Sequence, residues 1–415
     1  MIKENQHITV FEHETIRFDK GTKRITEDQF MALQNYYGEG VPYFNLVYNG
    51  VRFNEYVGVI QIGKTLIEVL PKADKNTEST FEQNKWRDVL IGMLKLVGDF
   101  DIQNTSSSHL KIKPNTILDL YFEFFIEEVE YLLHNGLVKQ YRKKEGNVIA
   151  LKGSLQFGKH IQNNLTNQER FYVRHSTYDT EHKLHFILYK TIKLLKQINT
   201  NAALLSRIGA LLLHFPEMPD LKVSEATFTS IVYNRKTQSY KQSIEIAKLI
   251  LLQYHPDISK GRNDLLALMF DMNKLWEKYI YKMLKRANVD GYKIGFQNSQ
   301  KFWNTKTIRP DLVVSKYEQG ELKTYVIDTK WKVIDNRYPS DDDLKQMFAY
   351  NLYWDAGRSM LLYPKVLDYE ESYGVYHKGR EKGNTCKLGF VDVLDSTGKL
   401  DLNIGKVILN KLEED

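Results

Sequence analysis

A single cysteine, Cys386, is all this chain carries. That excludes an internal disulfide framework and any zinc site built on cysteines, and it makes a reducing compartment the simplest expectation. Long apolar runs are missing too. No window approaches 18 uninterrupted apolar residues, so no membrane-spanning helix is expected. The opening MIKENQHITVFEHE lacks the apolar core of a secretory leader. Internal repeats and low-complexity tracts are also absent. Together these absences point to a cytoplasmic protein that needs no membrane.

What is present fits a soluble globular chain: 42% hydrophobic and 27% charged residues. The 26 Tyr and 20 Phe fill cores and leave rings for interfaces or base stacking. A length of 415 residues exceeds one ordinary core, so two or three domains are expected. A net charge of +6 and a pI near 8.9 permit contact with a polyanion without demanding it.

The patterning suggests an α+β multidomain chain in three parts. Residues 1–105 are rich in strand signals: HITVFEH, YFNLVYNGVRF with an Asn49-Gly50 turn, and YVGVIQIGKTLIEVLP. One helix is expected at TEDQFMALQNYY and another at WRDVLIGMLKLVGDF. Residues 106–255 read as mainly helical, with one long helical stretch, ILDLYFEFFIEEVEYLLHNGLVKQYRKK, broken near Asn135-Gly136, and a short β excursion at GNVIALKGSLQFGKHI. Residues 256–415 read helix (265–287), two strands joined at YEQGEL, helix and strand. The second helix, DDDLKQMFAYNLYWDAG, opens at Ser340 with acidic residues, a favourable start. Beyond 365, CKLGFVDVL and KVILNKL read as strands able to complete a sheet.

Gly58, Gly63, Lys64 and Thr65 spell G-x-x-x-x-G-K-T, the letters of a phosphate-binding loop. Val59, Ile60 and Ile62 between them are β-branched and resist the positive-φ turns of a phosphate nest. LIEVLPK follows, with no helix start and an early proline. The stretch therefore reads as paired strands turning near Gly63-Lys64, and no nucleotide is expected on this chain alone.

IRPDLVV and YVIDTKWK carry a sharper signal. Asp328 and Lys330 are two apart on one strand and share a face. If that strand pairs antiparallel with its predecessor, Asp311 comes close to Asp328. Two adjacent carboxylates repel and invite a cation, and oxygen ligands suit Mg²⁺ or Mn²⁺. A lysine beside the metal can hold or help deprotonate an attacking water. Gln346 and Tyr350, at i and i+4, share a face of the next helix. Glu277, beside an apolar stripe in NKLWEKYIYKML, is either a further ligand or a solvated glutamate paired with Lys274. The basic run Lys139, Arg142, Lys143 and Lys144 is either a nucleic-acid or partner contact or a solvated helix end. His182 and His185 read as helix-face residues.

Asp311, Asp328-Thr329-Lys330, Gln346 and Tyr350 together resemble the PD-(D/E)XK nuclease superfamily, in the branch with Q-x-x-x-Y. Over roughly residues 10–355 the chain resembles McrC-like nuclease subunits of McrBC-type modification-dependent restriction systems. The stretches that carry this are VFEHETIRF, YVGVIQIGKTLIEVLPK, LKGSLQFGKH with ERFYVRHSTYDTEHKL, and LWEKYIYKML.

The resemblance implies a C-terminal α/β nuclease core, a mixed sheet flanked by helices, that cuts double-stranded, methylated DNA. It implies an McrB-like AAA+ ring as partner, with GTP bound and hydrolysed there under stimulation by this chain. By the same carry-over Asp311, Asp328 and Glu277 are metal ligands and Lys330 is the catalytic lysine. Gln346 and Tyr350 orient the metal site or the DNA. Thr329 is filler that contributes at most its backbone carbonyl. The other readings are a non-catalytic ring adaptor and a stand-alone nuclease.

Overall fold

The computed structural model describes residues 6–71, 80–97, 116–256, 264–287, 291–318, 320–332, 339–365, 371, 373–377 and 384–414. The chain is mixed α/β with several sheets. It divides into two compact units, Met1–Ser106 with Pro256–Asp415, and Ser107–His255.

The first unit opens with β1 (His7–Phe11), β2 (Thr15–Arg17), α1 (Glu27–Gly38), β3 (Phe44–Val47), β4 (Gly50–Phe53), β5 (Tyr56–Ile62), β6 (Thr65–Leu70) and α2 (Thr80–Val97). Thr26 caps α1 through a reciprocal bond pair with Gln29, which satisfies the free N–H groups of its first turn. β3 and β4 form the expected hairpin, one residue earlier than Asn49-Gly50. Val47 pairs with Gly50, so Tyr48 and Asn49 make the turn, with Asn49 at φ 55°. β5 and β6 form an antiparallel hairpin with Ile62 opposite Thr65, and β1 runs parallel to β6. The G-x-x-x-x-G-K-T letters thus lie on a hairpin, not at a strand-to-helix junction.

The inner unit holds α3 (Ile117–His134), β7 (Gln140–Val148), β8 (Ser154–Leu155), α4 (Phe157–Asn164), β9 (Phe171–Asp179), α5 (Lys183–Ile198), α6 (Ala202–His214), α7 (Glu225–Thr229), α8 (Lys241–Leu252) and β10 (Tyr254–His255). α3, α5, α6 and α8 pack together. The helical reading after Gly136 is corrected: QYRKK belongs to β7, which pairs along its length with β9, and β8 adds to β9. Exposure alternates residue by residue from Gln140 to Val148, the period of a strand.

The chain then re-enters the first unit as β11 (Leu265–Asp271), α9 (Met272–Ala287), β12 (Tyr292–Phe296), β13 (Gln300–Trp303), β14 (Lys306–Ile308), β15 (Leu312–Glu318), β16 (Glu321–Thr329), α10 (Asp341–Tyr353), β17 (Arg358–Pro364), β18 (Tyr373–Val375), β19 (Thr385–Val391) and α11 (Ile404–Glu413). The expected helix over 265–287 is therefore a strand followed by a helix. LLALMF is a short apolar run that periodicity alone cannot assign; it is a strand because β5 lies antiparallel beside it. That pairing joins 1–105 and 256–415, which the sequence reading kept apart, into one unit. It also explains Gly58. At φ 139°, a Cβ there would meet the Leu268 carbonyl oxygen at 2.0 Å.

A mixed six-stranded sheet follows, in the order β12-β15-β16-β17-β19-β18. β15 is antiparallel to β16, whereas β16, β17 and β19 are mutually parallel. α10, capped by Ser340, buries Met347 and Tyr350 against Val326, Leu361 and Tyr363. KVILNKL, expected as a strand, is part of α11. Ile404, Ile408, Leu409 and Leu412 are buried at helical spacing, and the helix packs on α9. Gly405 permits the approach, since a Cβ there would lie 2.2 Å from the Met283 carbonyl oxygen. Among the described residues no helix is long and apolar enough to cross a membrane.

Candidate active site

β15 and β16 bring the two aspartates together. Leu312 pairs with Ile327, so the next rung outward sets Asp311 opposite Asp328. Asp328 is nearly fully buried. Its Oδ2 makes no aligned hydrogen bond, and its contact is an ion pair with Lys330 Nζ at 2.8 Å. Both hydrogen bonds to Asp311 land on Oδ2, from the Thr329 N–H at 2.7 Å and the Thr329 hydroxyl at 3.0 Å. Thr329 is thus no filler. Its N–H and hydroxyl, at the end of β16, hold the carboxylate in place.

Burial raises the pKa of both aspartates. The Glu277 charge raises Asp311 further, and Asp311 raises Asp328. Lys330 is half-buried. Desolvation works against its charge, but Asp328 and Asp343 outweigh that and hold its pKa above the ordinary lysine value. Asp343, from the first turn of α10, sits 3.4 Å from Lys330 and 3.0 Å from Lys332. Sequence reasoning passed over it, although the DDD run opening that helix was the available signal.

Glu277 is buried on α9, and its partner is the Gln297 amide at 2.7 Å. Lys274 pairs with Asp271 instead. Burial raises the Glu277 pKa, which the Gln297 bond partly offsets. Among the described residues no three His, Cys, Asp or Glu side chains are arranged to hold a metal ion. Glu277 nevertheless lies close enough for its charge to act on Asp311, and the Asp328 charge acts on Glu277. The pair of Asp311 and Asp328 itself still suits a hard divalent cation: one buried and one half-buried carboxylate, close enough to repel, the buried one with an oxygen lacking any aligned hydrogen bond.

Gln346 and Tyr350 do share a face of α10. The Gln346 amide donates to the Tyr350 hydroxyl at 2.6 Å, and that hydroxyl donates to the Arg309 carbonyl at 2.9 Å. Tyr350 thereby pins the segment entering Asp311. On the other side of Lys330, the Trp331 indole donates to Glu12 Oε1 at 2.8 Å and rests edge-on against Trp276 and Trp86. This aromatic cluster anchors the end of β16 on α9 and α2.

A family model described as "McrBC 5-methylcytosine restriction system component" matches residues 51–364, well over half of the chain. The chain belongs to that family. None of the curated proteins matches it. Among solved structures, this McrBC component is similar to a chain of the refined half-complex from the tetradecameric assembly of Thermococcus gammatolerans McrB AAA+ hexamers with bound McrC. The TM-score is 0.72 at 17% identity, covering 98% of this chain and 100% of that one. A chain of the cryo-EM structure of the Thermococcus gammatolerans McrBC complex matches with a TM-score of 0.51 at 17% identity, over 69% of this chain and 89% of that one.

The remaining expected positions of this McrBC component lie in the inner unit. Lys139 precedes β7, which carries Arg142, Lys143 and Lys144, so the basic run is on a strand and not at a helix end. Arg142 pairs with Asp179 at 3.0 Å and with Glu181, and Lys144 pairs with Asp179 at 3.2 Å. Two of the four cations are thus locally neutralised, while Lys139 and Lys143 are exposed. His182 caps α5 through the Leu184 N–H. His185 is buried between the Thr180 carbonyl and the Tyr240 hydroxyl.

Proposed function

We propose that this McrBC component is the McrC-like subunit that hydrolyses DNA phosphodiesters with Mg²⁺ or Mn²⁺, acting with an McrB-like AAA+ GTPase ring on DNA carrying 5-methylcytosine. One observation carries the reading: Asp311 and Asp328 oppose each other at the end of β15 and β16, with Lys330 Nζ 2.8 Å from Asp328. The family match supports the restriction setting, and the matched assembly of McrB hexamers with bound McrC supports the choice of partner.

Asp311 and Asp328 would hold the cation, with the Thr329 carbonyl available beside them. When bound, the ion supplies a Lewis acid that neutralises charge on the scissile phosphate. Thr329 fixes the orientation of Asp311 through its N–H and hydroxyl. Lys330, kept protonated by Asp328 and Asp343, supplies positive charge at the phosphate and a donor that orients the nucleophile. With its pKa raised it is a poor proton acceptor, so its part is electrostatic and positional. Tyr350 holds the approach to Asp311, and Gln346 holds Tyr350. Glu277, clamped by Gln297, adds negative potential behind Asp311.

The test is cleavage of methylated plasmid by Asp311→Ala and Lys330→Ala variants mixed with the partner ring, GTP and Mg²⁺. Loss of cutting with intact co-elution supports the reading. Wild-type cutting rates in both variants leave the chain as an adaptor of the ring.

A further inference from the structure

Among the described residues β13 and β14 pair only with each other, forming a two-stranded ribbon outside the main sheet. Such a ribbon has little hydrophobic support of its own, yet it carries Phe302 and Trp303, which are 51% and 67% exposed. Trp303 lies directly across from Lys306 at the tip, where Asn304 turns the chain at φ 48°. Cross-strand neighbours share a face, so an indole and an ammonium are presented side by side. From Gly291 to Pro310 the sequence carries Lys293, Lys301, Lys306 and Arg309 and no acidic residue among its described positions. Among the described residues Lys301 and Lys306 have no ion-pair partner.

The base of the ribbon is clasped by the candidate active site. Before β13, the Gln297 N–H donates to the Asp311 carbonyl at 2.8 Å, and its amide donates to Glu277 at 2.7 Å. After β14, the Arg309 carbonyl accepts from Tyr350 at 2.9 Å. Along the ribbon, Phe302 rests on the Tyr353 ring at 5.7 Å, and the Tyr353 hydroxyl donates to the Phe302 carbonyl. Phe302 is therefore an anchor, and Trp303 is the ring left facing solvent.

From this geometry we infer that the β13–β14 ribbon is a duplex-DNA contact: Trp303 wedges against a base step while Lys301 and Lys306 meet flanking phosphates. The inference rests on the proposed nuclease reading and adds to it how the duplex is gripped. Duplex DNA is the occupant that the charge favours, because the ribbon is uniformly cationic and continuous with a site suited to a phosphodiester. An aromatic ring gives the backbone contacts a fixed depth, and the clasp ties that depth to Asp311.

The experiment measures binding of a fluorescent methylated duplex to the full-length chain, alone and with the partner ring, by anisotropy across a salt series. Trp303→Ala should weaken binding roughly ten-fold, with Trp303→Phe recovering much of the loss. A Lys301→Ala, Lys306→Ala double variant should lower the salt slope by about 2. Melting temperatures and co-elution with the ring should be unchanged. Wild-type binding in all three variants overturns the inference, as does absence of duplex binding in either setting. So does loss of ring assembly with duplex binding intact, which would make the ribbon a protein contact. An Asp328→Asn chain that still cuts DNA would remove the nuclease reading while leaving the binding result to stand by itself.

Discussion

Asp311 and Asp328 face each other one rung beyond Leu312 and Ile327, the last paired residues of β15 and β16. Neither carboxylate is exposed; the Asp311 charge raises the cost of ionising Asp328, and the Glu277 charge raises that of Asp311. Lys330 pairs directly with Asp328, and its charge also eases the ionisation of Asp311. The pair is therefore a standing electrostatic demand for positive charge, which the proposed divalent ion would meet.

Adding Mg²⁺ in the absence of DNA should consequently stabilise the chain. At free Mg²⁺ about tenfold above its dissociation constant the gain is about 1.4 kcal/mol, a rise of a few degrees in melting temperature. Asp311→Asn should show little or no such rise. Equal shifts in both proteins would mean that the ion binds elsewhere.

His185 provides a pH-dependent contribution in the inner unit. Its Nδ1–H donates to the Thr180 carbonyl, so its Nε2 accepts from the Tyr240 hydroxyl, which itself accepts from the Val138 N–H. Burial lowers its pKa from 6.5 to about 4. A depressed histidine stabilises in its neutral form, so the contribution is complete above pH 6.5 and disappears as pH falls through about 4. The stability gap between wild type and His185→Gln should shrink by about 2–3 kcal/mol between about pH 7.5 and 4.5. Urea titrations at both pH values measure it, and a gap independent of pH contradicts the network.

Gly405→Ala tests the packing of α11 on α9. A methyl 2.2 Å from the Met283 carbonyl forces the helices apart and should cost about 1–3 kcal/mol. On a surface strand the same change would be nearly neutral. Denaturant midpoints of the two proteins decide between them.

Much of the site was legible because it is local. Asp311, Asp328 and Lys330 lie on two consecutive strands joined by a short turn, so alternation and antiparallel pairing were enough to bring them together. The cap at Ser340 and the i, i+4 spacing of Gln346 and Tyr350 are likewise local. What escaped depends on distant partners. β11 is a strand because of β5, roughly two hundred positions earlier, and β7 because of β9. α11 was misread because a short apolar run fits either period until α9 is seen beside it. Gln297 as the clamp on Glu277 had no sequence signal, since its position follows from a turn back toward α9.

The most direct test follows scission itself. Supercoiled methylated plasmid is incubated with the partner ring, GTP and Mg²⁺, and wild type is compared with Asp328→Asn, which keeps the shape of the side chain and removes its charge. The account predicts no nicked or linear product from the variant above the level seen in EDTA, with GTP turnover by the ring retained. Wild-type amounts of linear product from Asp328→Asn would contradict it.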